Sequence, residues 1–300
     1  MRRLAIALAL PISGEACRPE FNEDEALVTT ARVLAVKSEP AEAKPGAPLL
    51  FTGFVALPPS SPEPATLVWR FCVAPKPPTV DNVVAPACLD SASLQPAGEG
   101  FTIMAATPSA ACTLFGPNVA ASGFRPRDPD VTGGYFQPLR VDLKGADPVF
   151  HLQRLECGLA GAPADIASAF GHEYVPNQNP HLEPLLATIA GEQAELRQIP
   201  AGAAVEFTVS WAAAEAESYA YFDRAAQAIR TRRESMRVTW HASAGKLNTE
   251  SSGRAEGDPG LSSSNVWTAP STAGSARLWI VLGDSRGGVD FVAQDLEVIR

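Results

Sequence analysis

Apolar residues in this chain recur at alternate positions in short runs, and Pro, Gly, Asn and Asp separate the runs. Alternation with a period of two over roughly four to eight residues, punctuated by turn formers, predicts β-strands rather than helices. Residues 33–36 and 185–189 give two such runs, and residues 236–242, 276–282 and 289–299 give three more. The last two runs are predicted to close as a hairpin about Gly283-Asp284-Ser285-Arg286-Gly287-Gly288. Leu278, Ile280 and Leu282 alternate with Arg277, Trp279 and Val281, so both faces of this strand are apolar and a central position in a sheet is expected. Residues 212–234 begin rich in Ala and Glu, but the later alternation around Tyr219, Tyr221, Ile229 and Thr231 predicts a β-hairpin about residues 224–227, with a short helix as the alternative. Residues 58–64 and 75–78 are proline-rich loops, and residues 90–134 show few strand signals before a strand over 135–143. Residues 164–180 form a turn-rich crossing, where a domain boundary is placed.

The pattern occurs twice. Gly46-Ala47-Pro48-Leu49-Leu50-Phe51-Thr52 matches Gly202-Ala203-Ala204-Val205-Glu206-Phe207-Thr208 position for position, each after a proline-bearing turn at Pro45 or Pro200. Each copy then reaches a strand with a tryptophan, Leu67-Val68-Trp69 and Val238-Thr239-Trp240. Strand, turn, strand and then a strand carrying a central Trp is the opening of an immunoglobulin-like sandwich, whose Trp packs between two sheets. The expected fold is all-β: two immunoglobulin-like β-sandwich domains in tandem, the first with long irregular loops and disulfides. The expected layout is a signal peptide over 1–16, a tether over 17–29, one domain over 30–175 and a second over 181–300. Few contacts are expected to cross residues 176–180.

The amino terminus gives an address. Arg2 and Arg3 precede an apolar run over 4–12, and small residues lead to Cys17. That is the signature of a secretory signal peptide, and roughly nine apolar residues fall far short of the ~20 a spanning helix needs. The same end resembles bacterial lipoproteins, in which a cysteine directly after the cut is acylated. Ala16 fits the motif, whereas Gly14 stands where an aliphatic residue is usual and Glu15 departs from it. The resemblance implies lipidation of Cys17, with outer-membrane attachment because Arg18, not an acidic residue, follows. Ordinary cleavage after Ala16, leaving a free thiol, is the alternative.

Apolar content of 46% with 19% charged residues supports packed cores. The formal net charge is −9, and it becomes −10 once Arg2, Arg3 and Glu15 leave with the signal peptide. Such a chain is a poor nucleic-acid binder, because phosphate neutralisation supplies most of that affinity. Setting Cys17 aside, Cys72, Cys88, Cys112 and Cys157 allow two disulfides in three connectivities. Cys72–Cys88 with Cys112–Cys157 is favoured, since the first closes a short proline-rich loop. No CxxC spacing supports a metal site.

Candidate chemistry is sparse. Ser285 sits in a segment superficially like a protease nucleophile, but none of the four histidines has a matching context, and a tight turn explains every residue. Asp128, Asp130 and Thr132, followed by Gly133, match the first half of a calcium loop, yet its twelfth position is Leu139 rather than Glu. His172-Glu173 lacks the second histidine of a zinc motif. Arg230, Arg232, Arg233 and Arg237 suit a solvated hairpin face better than an acidic partner. Trp211 and Trp279 are candidate sugar platforms, although strand aromatics usually belong to cores. No cofactor is expected.

The second copy, with its strand Trp, its Trp267-Thr268-Ala269-Pro270 turn and its closing Gly-rich hairpin, resembles the immunoglobulin-like repeats of bacterial envelope proteins. Taken whole, the chain resembles envelope lipoproteins built of such repeats. The resemblance implies a fold and a setting, with no catalytic residues. The expected role is a non-enzymatic structural or protein-binding module, anchored to a membrane by an amino-terminal lipid and meeting a protein partner in the envelope. A carbohydrate- or protein-binding accessory module of an exported enzyme system is the alternative.

Overall fold

The computed structural model describes residues 25–58, 66–75, 84–116, 131–159 and 161–300. Cys17, Asp128 and Asp130 lie outside the described residues, as do residues 1–16, where a signal peptide is expected.

The first sandwich runs through β1 (Arg32–Glu39), β2 (Glu42–Ala43), β3 (Pro48–Ala56), β4 (Val68–Cys72), β5 (Leu94–Glu99), β6 (Thr102–Ala106), a short helix α1 (Ala111–Leu114), β7 (Gly134–Asp142) and β8 (Val149–Glu156). One sheet has the order β1-β3-β6 and the other β2-β8-β7-β4-β5. Helix α2 (Ala164–Glu173) follows. The second sandwich runs through β9 (Leu186–Ile189), β10 (Glu192–Gln193), β11 (Ile199–Pro200), β12 (Ala204–Ser210), β13 (Ser218–Asp223), β14 (Ala228–Arg233), β15 (Met236–Ala242), β16 (Lys246–Leu247), β17 (Ser251–Arg254), β18 (Ser262–Thr268), β19 (Gly274–Asp284) and β20 (Val289–Ile299). Its sheets have the orders β10-β9-β12-β18-β16 and β11-β20-β19-β15-β17, while β13 and β14 pair as a separate hairpin.

The two sandwiches share one topology. In each, a short strand pairs parallel to the last one, β2 with β8 and β11 with β20, and the other pairings among the strands named above are antiparallel. Strands β1, β3 and β6 correspond to β9, β12 and β18, and β5, β4, β7 and β8 to β17, β15, β19 and β20. This is the immunoglobulin arrangement, with the third, sixth and seventh strands opposite the first, second and fifth. The turns repeat too. Gly46 and Gly202 have φ of +80° and +73°, a conformation that favours glycine. Ala47 N–H donates to Lys44 O, and Ala203 N–H to Pro200 O, both at 3.1 Å.

Each sandwich has its own core. Val36, Leu49, Phe51, Leu67, Trp69, Phe71, Leu139 and Val141 fill the first. Val205, Phe207, Trp240, Trp267, Leu278, Ile280 and Leu282 lie in the second. Trp69 and Trp240 are fully buried, and each satisfies its indole N–H, on Gly100 O at 2.7 Å and on Ser252 Oγ at 2.8 Å. The hairpin expected about residues 224–227 is present as β13–β14.

Three expectations are corrected. The segment with few strand signals, residues 90–134, carries β5 and β6. Pro96, Gly98 and Gly100 blur their pattern, and β5 is an edge strand in which Pro costs little. The crossing read as turn-rich contains α2, whose Phe170 packs over Gly133 and against Tyr174, with ring centroids 5.2 Å apart. Third, contacts between the sandwiches are extensive rather than few. Trp279 on the outer face of β19 packs with Val28, Ala56, Leu34, Phe54 and Ala293. Phe54 stacks on Phe291 at 4.3 Å with rings 9° apart, and Lys37 pairs with Asp290 at 3.1 Å. The segment before β1 continues the sheet edge beyond β17: Val28 N–H donates to Ala242 O at 2.8 Å and Ala242 N–H to Ala26 O at 2.9 Å.

Candidate functional site

Among the described residues, buried charge concentrates where the two sandwiches meet, on Glu42, Arg154, Glu217, Glu234 and Arg286. Arg286 projects from the β19–β20 turn and is 1% exposed. Its Nε donates to Glu234 Oε1 at 2.6 Å, its Nη2 to Glu217 Oε2 at 2.7 Å and its Nη1 to Val175 O at 2.9 Å. The guanidinium also lies 4.7 Å from the Tyr219 ring centroid. Each guanidinium nitrogen is thus engaged by protein. The turn that presents it is shaped by Asp284, whose Oδ1 accepts from Arg286 N at 2.8 Å and Gly288 N at 2.9 Å.

A second network faces it from the first sandwich. Glu42 on β2 and Arg154 on β8, both buried, pair at 3.2 Å. Tyr174 donates its hydroxyl to Glu42, and Arg154 Nη2 donates to Thr132 Oγ1 at 3.0 Å. Asn177 joins the two networks. Its backbone N–H donates to Glu42 Oε2 at 2.9 Å, and its side-chain amide reaches Asp284 at 3.2 Å. Asn179 repeats the device, donating to Ser38 O at 2.7 Å and accepting from Val289 N at 2.9 Å.

Burial governs the electrostatics. Desolvation, reinforced by Asp284 and opposed by Arg286, raises the Glu234 carboxyl to about 7. Desolvation likewise raises Glu217 above the ordinary carboxylate range. The Tyr174 hydroxyl is pushed well above its usual value, first by burial. Breaking one partner of such a buried pair strands the other charge, which typically costs ~3–5 kcal/mol. The network is therefore a strong determinant of how the sandwiches dock.

The cleft beside this joint, lined by Lys37, Glu39, Pro40, Asn177, Asn179 and His181 among others, has a volume of about 200 Å³. Small-molecule sites usually occupy roughly 300–1,000 Å³, so it is small for one.

The residues singled out from the sequence fall as follows. Cys72–Cys88 and Cys112–Cys157 are bonded, with Cα atoms 5.5 and 5.6 Å apart. Cys72 and Cys88 belong to a small apolar cluster with Val84 and Ala85, against which Phe115, Phe150 and Leu152 pack on the outer face of the β4–β7–β8 sheet. Thr132 is committed to Arg154. Ser285 accepts from Ser235 N–H at 3.4 Å, while His151 contacts Gln153, His241 contacts Arg32 and His181 contacts Asp290. Burial holds both His151 and His241 near 4. Trp211 and Trp279 are buried and offer no sugar platform. Arg230 and Arg232 pair with Asp223 and Glu256, and Arg233 donates to Asp258 O. Among the described residues, no group of three or more His, Cys, Asp or Glu is placed to hold a metal, and no helix is long and apolar enough to cross a membrane.

The joint itself escaped the sequence reading, because Glu42, Arg154, Asn177, Glu217, Glu234 and Arg286 share no local spacing. One signal pointed to it: the apolar outer face of β19. Trp279 is buried there beneath the first sandwich, in addition to the core face of the same strand.

No family model and no curated protein matches this sequence. Among solved structures, the D00-D0 domain of intimin aligns at a TM-score of 0.26 and 8% identity, covering 90% of this chain and 99% of that one. The Yersinia pseudotuberculosis adhesin InvE aligns at 0.24 and 10% identity, covering 89% of this chain and 58% of that one. Escherichia coli alpha-2-macroglobulin aligns at 0.24 and 11% identity, covering 91% of this chain and 22% of that one. This chain thus spans little more than half of InvE and under a quarter of the macroglobulin. At TM-scores this low, the fold assignment rests on the strand pairings described above.

Proposed function

We propose that this protein is a non-enzymatic cell-envelope lipoprotein, held to a membrane through an acyl group on Cys17, that serves as a structural or protein-binding module. The observation that carries the proposal is the joint. Its buried charges, from Glu42 to Arg286, are spent on one another and on the crossing segment, which fixes two sandwiches as one body. Such an arrangement suits a spacer or a presenting surface. The two disulfides fit an exported or surface setting, because they persist in oxidising compartments. The signal-peptide pattern before Cys17 supports the same setting. The burial of Trp211 and Trp279 removes the feature that favoured carbohydrate binding.

The test is expression in a host that processes lipoproteins. Wild-type protein should partition into detergent and incorporate labelled palmitate, whereas Cys17→Ser should do neither and keep the wild-type melting transition. Soluble, unlabelled wild-type protein beginning at Cys17 would refute the anchor.

A further inference from the structure

The charges gathered around Arg286 do not balance. Glu217, Glu234 and Asp284 bring three carboxylates to one guanidinium, and Glu217 and Glu234 share it directly. The Arg286 and Glu234 side chains are 2% and 0% exposed, so water does little to screen the two negative charges left over. Burial disfavours a charged carboxylate, and neighbouring carboxylates disfavour it further. A proton bound by one of the three relieves both effects.

The hydrogen bonds decide which one takes it. Asp284 receives Arg286 N, Gly288 N and the Asn177 amide, and donors of this kind favour its charged form. Glu217 keeps some contact with solvent and receives Gln178 N–H at 3.2 Å. Glu234 is wholly buried and, besides its half share of Arg286, receives one backbone N–H, that of Glu217 at 3.0 Å. Desolvation, reinforced by Asp284, raises its carboxyl to about 7.

The remaining charged neighbours leave this balance as it is. Glu215, just before β13, adds to the negative side. Arg233, next to Glu234 on β14, is turned to Ala216 O and Asp258 O. Across Asn177, Glu42 and Arg154 form a neutral pair beside the Tyr174 hydroxyl.

The segment that joins the sandwiches lies directly over the cluster. Val175 O accepts from Arg286, the Asn177 amide reaches Asp284, and Gln178 N–H donates to Glu217. The Asn177 N–H holds Glu42 of the first sandwich at the same time.

We propose that Glu234 is a proton-operated latch on the joint: the cluster grips residues 175–178 while this carboxyl holds a proton, and releases them as the proton passes to water with rising pH. Release exposes the carboxyl, which returns to its ordinary range, so the closed joint binds the proton more tightly than the open one. The joint is firm below neutrality and loosens above it. The latch belongs to the joint alone and operates with or without an acyl group on Cys17.

The test is amide hydrogen exchange of the mature protein made soluble by Cys17→Ser, corrected for the intrinsic rate at each pH. With a closed value near 7 and an open one near 4.5, protection of the Asn177 and Gln178 amides should fall about ten-fold between about pH 6 and about pH 8.5. His151 and His241, near 4, do not titrate in this window. His181, at the end of the same segment beside Asp290, is unaltered in the variants, and comparison with wild type removes its contribution. Glu234→Gln should make protection independent of pH across the window. Asp284→Asn keeps an acceptor for both turn amides but removes a charge that raises Glu234, so the fall should move to lower pH. Protection that is flat in wild type, or that falls equally in Glu234→Gln, would overturn the proposal. If Glu234→Gln does not fold, Asp284→Asn decides alone: a fall at unchanged pH would overturn the latch.

Discussion

Trp279→Ala tests whether the sandwiches melt together. The side chain lies on the outer face of β19, 1% exposed, in contact with residues from before β1, from β3 and from β20. A tryptophan buries about 150–250 Å², which at about 25 cal/mol per Å² gives an upper figure of about 4–6 kcal/mol. Truncation of a buried Trp typically costs ~3–5 kcal/mol once the residual cavity is included. At about 2–4 °C per kcal/mol for a chain of this size class, the midpoint should fall by roughly 10 °C. Because the lost contacts join the sandwiches rather than build either core, calorimetry should also change shape. Wild-type protein should give one cooperative transition and the variant two. A variant that melts in one transition within about 2 °C of wild type would refute the joint as a coupling element.

Other outcomes follow from the same structure. Glu234 has a folded pKa near 7, above its ordinary 4.5, so its share of stability is present below about pH 4.5 and lost as pH rises through 7. Urea titrations should therefore show stability falling less between about pH 5 and about pH 8 in Glu234→Gln than in wild type. An unchanged slope would count against the raised carboxyl; His151 and His241, held near 4, act in the opposite sense and cancel in the comparison. Gly288→Ala would set a Cβ 2.1 Å from Asp284 Oδ2 and 2.6 Å from Gln178 O, so the turn must shift, costing roughly 1–3 kcal/mol in chemical denaturation. Reduction should remove about 3 kcal/mol for Cys72–Cys88 and about 4 for Cys112–Cys157, from loops of 16 and 45 residues, read as a fall in melting temperature against the oxidised protein.

Much of the fold was legible because it depends on local periodicity. The matched segments at Gly46 and Gly202 proved to be the same turn, with the same φ sign and the same hydrogen bond. Trp69 and Trp240 proved to be equivalent core residues because a Trp on the third strand has only one place to go in this sandwich. Helix α2 was missed because its sequence, ADIASAFGHE, has one buried apolar residue, Phe170, and no side-chain cap. Strand β5 was missed because Pro96 and Gly98 are tolerated at an edge. The two-sided apolar pattern of β19 was read as a central strand, which it is. Its outer face, however, is buried by a second sandwich, and a one-dimensional pattern does not distinguish the two causes. The charge network had no sequence signal at all, since its members lie up to some 240 residues apart and meet only through the docked geometry.

The most direct test of the account is a set of residual dipolar couplings from the weakly aligned Cys17→Ser protein. If Asn177, Arg286, Trp279 and the segment before β1 fix the sandwiches as one body, a single alignment tensor will fit amides of β1–β8 and of β9–β20 together in the arrangement described. Two tensors of different magnitude or orientation would show the sandwiches moving independently, and would contradict it.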